Sequence, residues 1–165
     1  MEQVYVAIGS NIDPAARMLQ AARALKRRFA DACFSPCYSN PAFGFEGPDF
    51  VNAVAGFRTG LGIAALLSAL REIEAECGRG ATDPKWGPRA MDLDLLFYGA
   101  VVAAGPGYTL PRPDLLKRVY MLGPLAQLAP EWVYPPAGPT IGQLWAQFPD
   151  SKRAMKRLEL DLNAA

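Results

Sequence analysis

Along residues 50–59 apolar side chains follow a two-residue period: Phe50, Asn52 and Val54 share one face, and Val51, Ala53, Ala55 and Phe57 the other. That pattern predicts a strand, with Asn52 as an amide on an otherwise apolar face. A β-branched run over residues 4–8 that ends in Gly9, Ser10 and Asn11 predicts a buried strand and a turn. A further strand is predicted over 34–38, joined to 50–59 by a Pro- and Gly-rich segment, 40–49. Residues 91–98 alternate again, with Asp92 and Asp94 on one face, Leu93, Leu95 and Phe97 on the core side, and Gly99 at the close.

Between these runs the period lengthens to that of a helix. Met18, Ala22, Leu25 and Phe29 form one stripe, with Asp13 before Pro14 as its expected N-cap. Ile63, Leu66, Leu67, Leu70, Ile73 and Cys77 form a second, which stops at Gly78. The order strand, helix, strand, strand, helix, strand predicts an α+β fold of the ferredoxin-like split βαβ kind. Its sheet is antiparallel and its two helices pack on one face. Beyond residue 100 the chain is punctuated, with nine of its fifteen prolines between Pro106 and Pro149. This Pro-rich C-terminal extension predicts a hairpin strand at Val101 and Val102 and short helices around 115–128 and 141–148. Residues 150–165 fit either a packed helix or a frayed tail.

Composition narrows the function. A length of 165 residues fits one domain, 1–165. With 17 basic and 16 acidic side chains, the net charge of +1 argues against a nucleic-acid or membrane partner, so phosphate binding must be local. The basic cluster Arg17, Arg23, Lys26, Arg27 and Arg28 reads as a solvated helix face. The absence of histidine excludes imidazole bases, Ser-His or Cys-His catalysis, and histidine metal ligands. Cys33, Cys37 and Cys77 read as reduced, small hydrophobic residues. No apolar run approaches the roughly 18 residues of a membrane span, and the N-terminal residues lack a signal-peptide pattern, so a soluble cytoplasmic protein is expected.

The densest chemistry is Lys85-Trp86-Gly87-Pro88-Arg89-Ala90-Met91-Asp92-Leu93-Asp94. Carboxylates two apart on a strand lie about 6.5–7 Å apart on one face. They either hold a pair of divalent ions or line the solvent face of an edge strand. Hard oxygen donors without histidine or thiolate suit magnesium, which completes its shell with water and substrate phosphates and so points to a nucleoside triphosphate. Arg79, Lys85 and Arg89 lie in a Gly- and Pro-containing loop suited to covering a polyanion. No P-loop and no G-x-G-x-x-G is present.

Taken with Ala7-Ile8-Gly9-Ser10-Asn11, Tyr38-Ser39-Asn40-Pro41, Pro48-Asp49-Phe50-Val51-Asn52-Ala53 and Leu110-Pro111, the segment Trp86-Gly87-Pro88-Arg89-x-x-Asp92-Leu93-Asp94 resembles the 6-hydroxymethyl-7,8-dihydropterin pyrophosphokinases. The resemblance runs from about residue 3 to about residue 148 and adds Arg118 to Leu122, Pro124-Leu125 and Ala129-Pro130 in order. It implies an ATP-dependent transfer of pyrophosphate to a pterin alcohol in folate biosynthesis, with AMP released. Asp92 and Asp94 would hold two magnesium ions, and Arg79 and Arg89 would join them in catalysis. Glu74, Arg79, Lys85, Trp86, Arg89, Thr109, Arg112 and Arg118 would bind ATP. Asn40, Pro41, Phe43, Phe50, Asn52 and Tyr120 would bind the pterin, Phe43 and Tyr120 by stacking. The partners implied are these small molecules alone, and a monomer is expected. Arg112, Ala81 and Leu116 stand where the family usually carries histidine, arginine and a basic residue, which motivates a second reading: a homologue that binds pterin or nucleotide without efficient turnover.

Overall fold

The computed structural model describes residues 1–42, 46–78 and 90–165. The two longest strands, β1 (Glu2–Ser10) and β4 (Phe50–Thr59), pair antiparallel from Glu2↔Thr59 to Ser10↔Val51. β5 (Asp92–Tyr98) pairs with the other edge of β1, also antiparallel. Against β4 lie β2 (Cys33–Phe34) and β3 (Cys37–Asn40), and β8 (Lys156–Leu158) closes the far side of β3. The order is therefore β5-β1-β4-β3-β8, with β2 beside β4. β6 (Ala103–Gly105) and β7 (Tyr108–Leu110) form a separate hairpin.

Helices cover both faces. Val4, Val6, Ile8, Val51, Ala53, Ala55 and Phe57 pack against Met18 and Leu25 of α1 (Pro14–Arg28) and Leu66, Leu70 and Ile73 of α2 (Ile63–Glu76). Each fully buried side chain of this size contributes about 1.5–3 kcal/mol. The opposite face, with Ala7, Val54, Leu96 and Phe97, takes Met121, Leu122 and Leu125 of α3 (Val119–Leu128) and Ile141 of α4 (Ile141–Gln147). The Pro-rich segment is thus the second cover of the sheet. α2 stops where Gly78 adopts φ 91°, a left-handed conformation costly for other residues. Among the described residues no helix is long and apolar enough to cross a membrane.

Five expectations are corrected. Asp13 takes φ 47° and makes no side-chain cap bond; this left-handed backbone does not aim its carboxylate at the first free N–H groups. Residues 34–38 form two strands because Pro36 has no N–H for the ladder, while Ser35 bridges the gap by receiving the Val54 N–H on its Oγ at 2.8 Å and donating its own N–H to the Val54 carbonyl at 2.9 Å. Phe97 faces the α3 side with Leu96, since a bulge lies between Val6↔Leu95 and Tyr5↔Phe97 and shifts the phase by one residue. The hairpin begins at Ala103, past Val101 and Val102, because the turn at Pro106-Gly107, with Gly107 at φ 80°, sets which residues pair. Cys33 is exposed on the two-residue β2, whereas Cys37 and Cys77 are buried; all three are free thiols.

The tail is packed on the body rather than frayed, but as a short strand between two single 3-10 turns, Asp150–Lys152 and Leu162–Ala164, instead of one helix. β8 pairs Leu158, Arg157 and Lys156 with Cys37, Tyr38 and Ser39, and so covers an edge that would otherwise be open. Downstream, Leu162 is buried in the core, and the Asn163 amide brackets Phe34, accepting its N–H and donating to its carbonyl, each at 2.9 Å. Lys26 Nζ donates to the Asn163 carbonyl at 2.6 Å. Upstream, Arg153 Nε donates to the Phe148 carbonyl at 2.9 Å and its guanidinium lies 5.0 Å from the Trp145 ring centroid.

Candidate active site

One sheet row assembles the site. Gly9 of β1 is in register with Asp92 on one side and Asn52 on the other, and Asn52 is in register with Tyr38. Cross-strand partners share a face, so Asp92, Asn52 and Tyr38 look the same way. Two residues along, Asp94 pairs with Ala7 and Ala7 with Val54, both on the α3 side. The aspartates therefore stand on the face that α3 covers. Gly9 leaves room for the Asn52 amide: a Cβ there would lie 2.8 Å from Asn52 Oδ1 and would force the side chain to shift. The Asn52 side chain is drawn over this gap and donates from Nδ2 to Asn40 Oδ1. Asn40 and Asn52 are both buried, and Asn40 donates to the Pro41 carbonyl at 3.1 Å. Phe50, in register with Asn40, is half-buried beside them, and Pro41 is exposed. Asn11 Nδ2 ties the turn after β1 to the Pro48 carbonyl at 3.2 Å, fixing the approach to β4.

The charged side of the site gathers around Asp94. Arg112 Nη1 lies 3.7 Å from Asp94 Oδ1, and Arg112 Nη2 lies 3.9 Å from Asp114 Oδ2. Tyr120, in the first turn of α3, completes the group. Burial pushes its phenol above the ordinary value, Arg118 and Arg112 pull it down, and Asp114 and Asp94 push it up, so four charges surround it. Arg118 is the N-cap residue of α3. Glu74, on α2, is buried and accepts the Leu93 N–H on Oε2 at 2.8 Å, which ties the helix to the strand segment between the aspartates. Thr109 lies exposed on β7, and among the described residues no hydrogen bond ties it to this group.

The structure thus brings together Asp92, Asp94, Arg112, Arg118 and Tyr120 at one end and Asn40, Asn52 and Phe50 at the other. Phe43, Arg79, Ala81, Lys85, Trp86 and Arg89 lie outside the described residues. Three participants were not singled out from sequence: Gly9, Tyr38 and Asp114. Gly9 and Tyr38 sit in quoted motifs, but their importance comes from register, which pattern alone does not fix. Asp114 had only its closeness to Arg112 as a signal.

Comparison with known proteins sharpens this geometry. The model of the 7,8-dihydro-6-hydroxymethylpterin-pyrophosphokinase (HPPK) family matches residues 5–130. The chain belongs to this family. The 2-amino-4-hydroxy-6-hydroxymethyldihydropteridine pyrophosphokinase of Synechocystis sp. is 40% identical over 145 residues, covering 86% of this chain and 74% of the relative. The Pseudomonas aeruginosa protein of the same name is 38% identical over 153 residues, covering 90% and 93%. Among solved structures, an HPPK-DHPS crystallised with substrates superposes with a TM-score of 0.67 at 12% identity, covering 91% of this chain and 44% of that longer one. That likeness shows the mixed helix and antiparallel-sheet fold of an HPPK.

Proposed function

We propose that the α3-covered face of the sheet carries the transfer of pyrophosphate from ATP to the hydroxymethyl group of 6-hydroxymethyl-7,8-dihydropterin. The activity is that of the family to which the chain belongs, the pyrophosphokinase step of folate biosynthesis. The observation that supports this siting is the Asp92-Gly9-Asn52 row, which joins a carboxylate end to an amide end on one face.

Asp92 and Asp94 offer hard carboxylate oxygens, and among the described residues no third His, Cys, Asp or Glu joins them. Such an incomplete donor set fits magnesium, which takes one or two carboxylates and fills its shell with water and phosphate oxygens. Two ions bound there would neutralise the charge that develops on the transferring group. Arg112 and Arg118 bind the polyphosphate, and Arg79, Lys85 and Arg89 belong to the loop proposed to cover it. Glu74 anchors the strand that carries the aspartates.

At the other end Asn52, oriented by Asn40, reads the donor and acceptor edge of the pterin, and Tyr120 stacks on its ring. Aromatic stacking of this kind contributes about 1–3 kcal/mol per ring. The pterin alcohol oxygen attacks the β-phosphorus, the bond from that phosphorus to the α,β-bridging oxygen breaks, and AMP leaves. With no histidine in the chain, the residues contribute positioning and charge rather than an imidazole base. We read the strand order as the ferredoxin-like arrangement, with residues 1–165 as one domain acting as a cytoplasmic monomer.

The test uses ATP labelled at the β-phosphate, with and without the pterin. Labelled pterin diphosphate and stoichiometric AMP are expected. ADP as the product, or AMP independent of pterin, would contradict the assignment.

A further inference from the structure

Tyr120 stands in a helix turn that its own backbone does not fully hold. Pro124 has no N–H to offer the Tyr120 carbonyl four residues back, so α3 lacks one bond of its ladder there. Side-chain packing must therefore fix this turn. The residue before Pro124 is the buried Gly123, and the space its missing side chain leaves is filled from the tail. A Cβ on Gly123 would collide with Met155 Cε and lie 3.1 Å from Met155 Sδ, with the Trp145 ring of α4 at 3.2 Å.

Met155 is anchored on both sides. Two residues before it, Arg153 Nε donates to the Phe148 carbonyl at 2.9 Å and Nη2 to the Ala146 carbonyl at 2.8 Å. Directly after it, Lys156 and Arg157 pair with Ser39 and Tyr38 of β3. Tyr38 is in register with Asn52, so the row that runs from Asp92 through Gly9 and Asn52 continues through Tyr38 to Arg157. The tail thus touches both elements that flank the amide end of the site: α3, which carries Tyr120, and β3, which carries Asn40.

Building on the proposed siting of the pterin, we propose that residues 153–158 are a strap that sets the spacing between α3 and β3, with Met155 as its positioning residue. Met155 fills the notch at Gly123, so its bulk sets how closely the turn bearing Tyr120 approaches the row of Asn52 and Tyr38. It touches neither substrate and acts through Tyr120. A gap of about 0.5–1 Å already forfeits a quarter to a half of a dispersion contact, so a small shift of α3 weakens stacking on the pterin. The aspartates, on β5, stay in place.

The experiment measures pterin KM, ATP KM and kcat from pterin-dependent AMP release, and pterin Kd by calorimetry. It compares the full chain in wild type, Met155→Ala, Met155→Leu and the swap Gly123→Leu/Met155→Ala. Met155→Ala is expected to raise pterin KM and Kd about three- to tenfold, with kcat and ATP KM changed less than about twofold. Met155→Leu, close in volume, is expected to stay near wild type. The swap returns the lost volume from the helix side and is expected to recover most of the pterin affinity. A merely structural role would lower the folded fraction, and with it the apparent kcat, while leaving both KM values alone. Pterin KM and Kd unchanged in Met155→Ala, both KM values rising together, or a swap no better than Met155→Ala would overturn the strap. Wild type that binds pterin without releasing AMP would instead remove the functional reading, and the Kd values across the variants would still decide the strap. No pterin binding by wild type would overturn both.

Discussion

Asp92 and Asn52 stand on either side of Gly9, each in register with it, so one glycine sets the separation between the carboxylate and amide ends of the site. Two strand spacings place the backbones of these residues about 9.5 Å apart. In the proposed function the pterin spans this separation, from the amide toward the aspartates.

Gly9→Ala tests this relationship. The added methyl meets Asn52 Oδ1 at 2.8 Å and must displace the amide from Asn40. Pterin KM is expected to rise about tenfold or more, with a smaller effect on the KM for ATP, because displacing a positioning group by a fraction of an ångström is costly. Steady-state kinetics with each substrate varied checks it; equal effects on both substrates would contradict the placement of Asn52.

Glu74 separates support from charge. Glu74→Ala leaves the buried Leu93 N–H without its acceptor and is expected to cost about 1–3 kcal/mol in urea unfolding. Glu74→Gln keeps an oxygen acceptor and is expected to recover most of that stability. If Gln is as destabilised as Ala, the carboxylate charge matters more than the strand anchor.

The tail is expected to be part of the folded body. Leu162, 1% exposed, is expected to cost about 2–5 kcal/mol when changed to Ala, the range for a buried leucine. Asn163→Ala removes both bonds to Phe34 and is expected to expose the β3 edge to faster amide hydrogen exchange at Cys37 and Ser39, which flank the Arg157↔Tyr38 pair. A tail contributing nothing would leave stability and exchange unchanged.

Most of the fold was legible because its strongest signals are periodic. The alternation over 50–59 assigns both faces of β4 correctly, and the stripes ending at Phe29 and Cys77 locate both helices of the first face. What pattern could not reveal depends on pairing partners. The bulge that turns Phe97 over exists only because β1 lies beside β5, and β8 is three residues, Lys156–Leu158, with no strand signal of its own. The D-x-D pair and Asn52 stood out in the sequence as candidates, the one by its spacing and the other as an amide on an apolar face. Their common row through Gly9, and the approach of Arg112 to Asp94, needed the register and the path of the chain after β7.

Alkaline pH is expected to destabilise the protein through its buried thiols. Burial raises Cys37 from 9.0 to about 12 and Cys77 from 9.0 to about 11. The unfolded chain loses these protons first, so their contribution to stability is full below pH 9 and falls as pH rises toward 11 and 12. Urea midpoints of wild type and Cys37→Ala between pH 8 and 11 check this, the variant showing the shallower decline. Alkylation at pH 8 is expected at exposed Cys33 alone until the protein unfolds.

The most direct measurement of the central claim is pterin-dependent AMP release by wild type, Asp94→Ala and Asn52→Ala, alongside pterin binding by calorimetry. Asp94→Ala is expected to lose at least about a hundredfold in kcat while still binding pterin, as expected when charge stabilisation of the transferring group is removed. Asn52→Ala is expected to weaken pterin binding and raise its KM with a smaller change in kcat. Turnover retained in Asp94→Ala, or pterin affinity unchanged in Asn52→Ala, would contradict a site divided between these two ends of one sheet face.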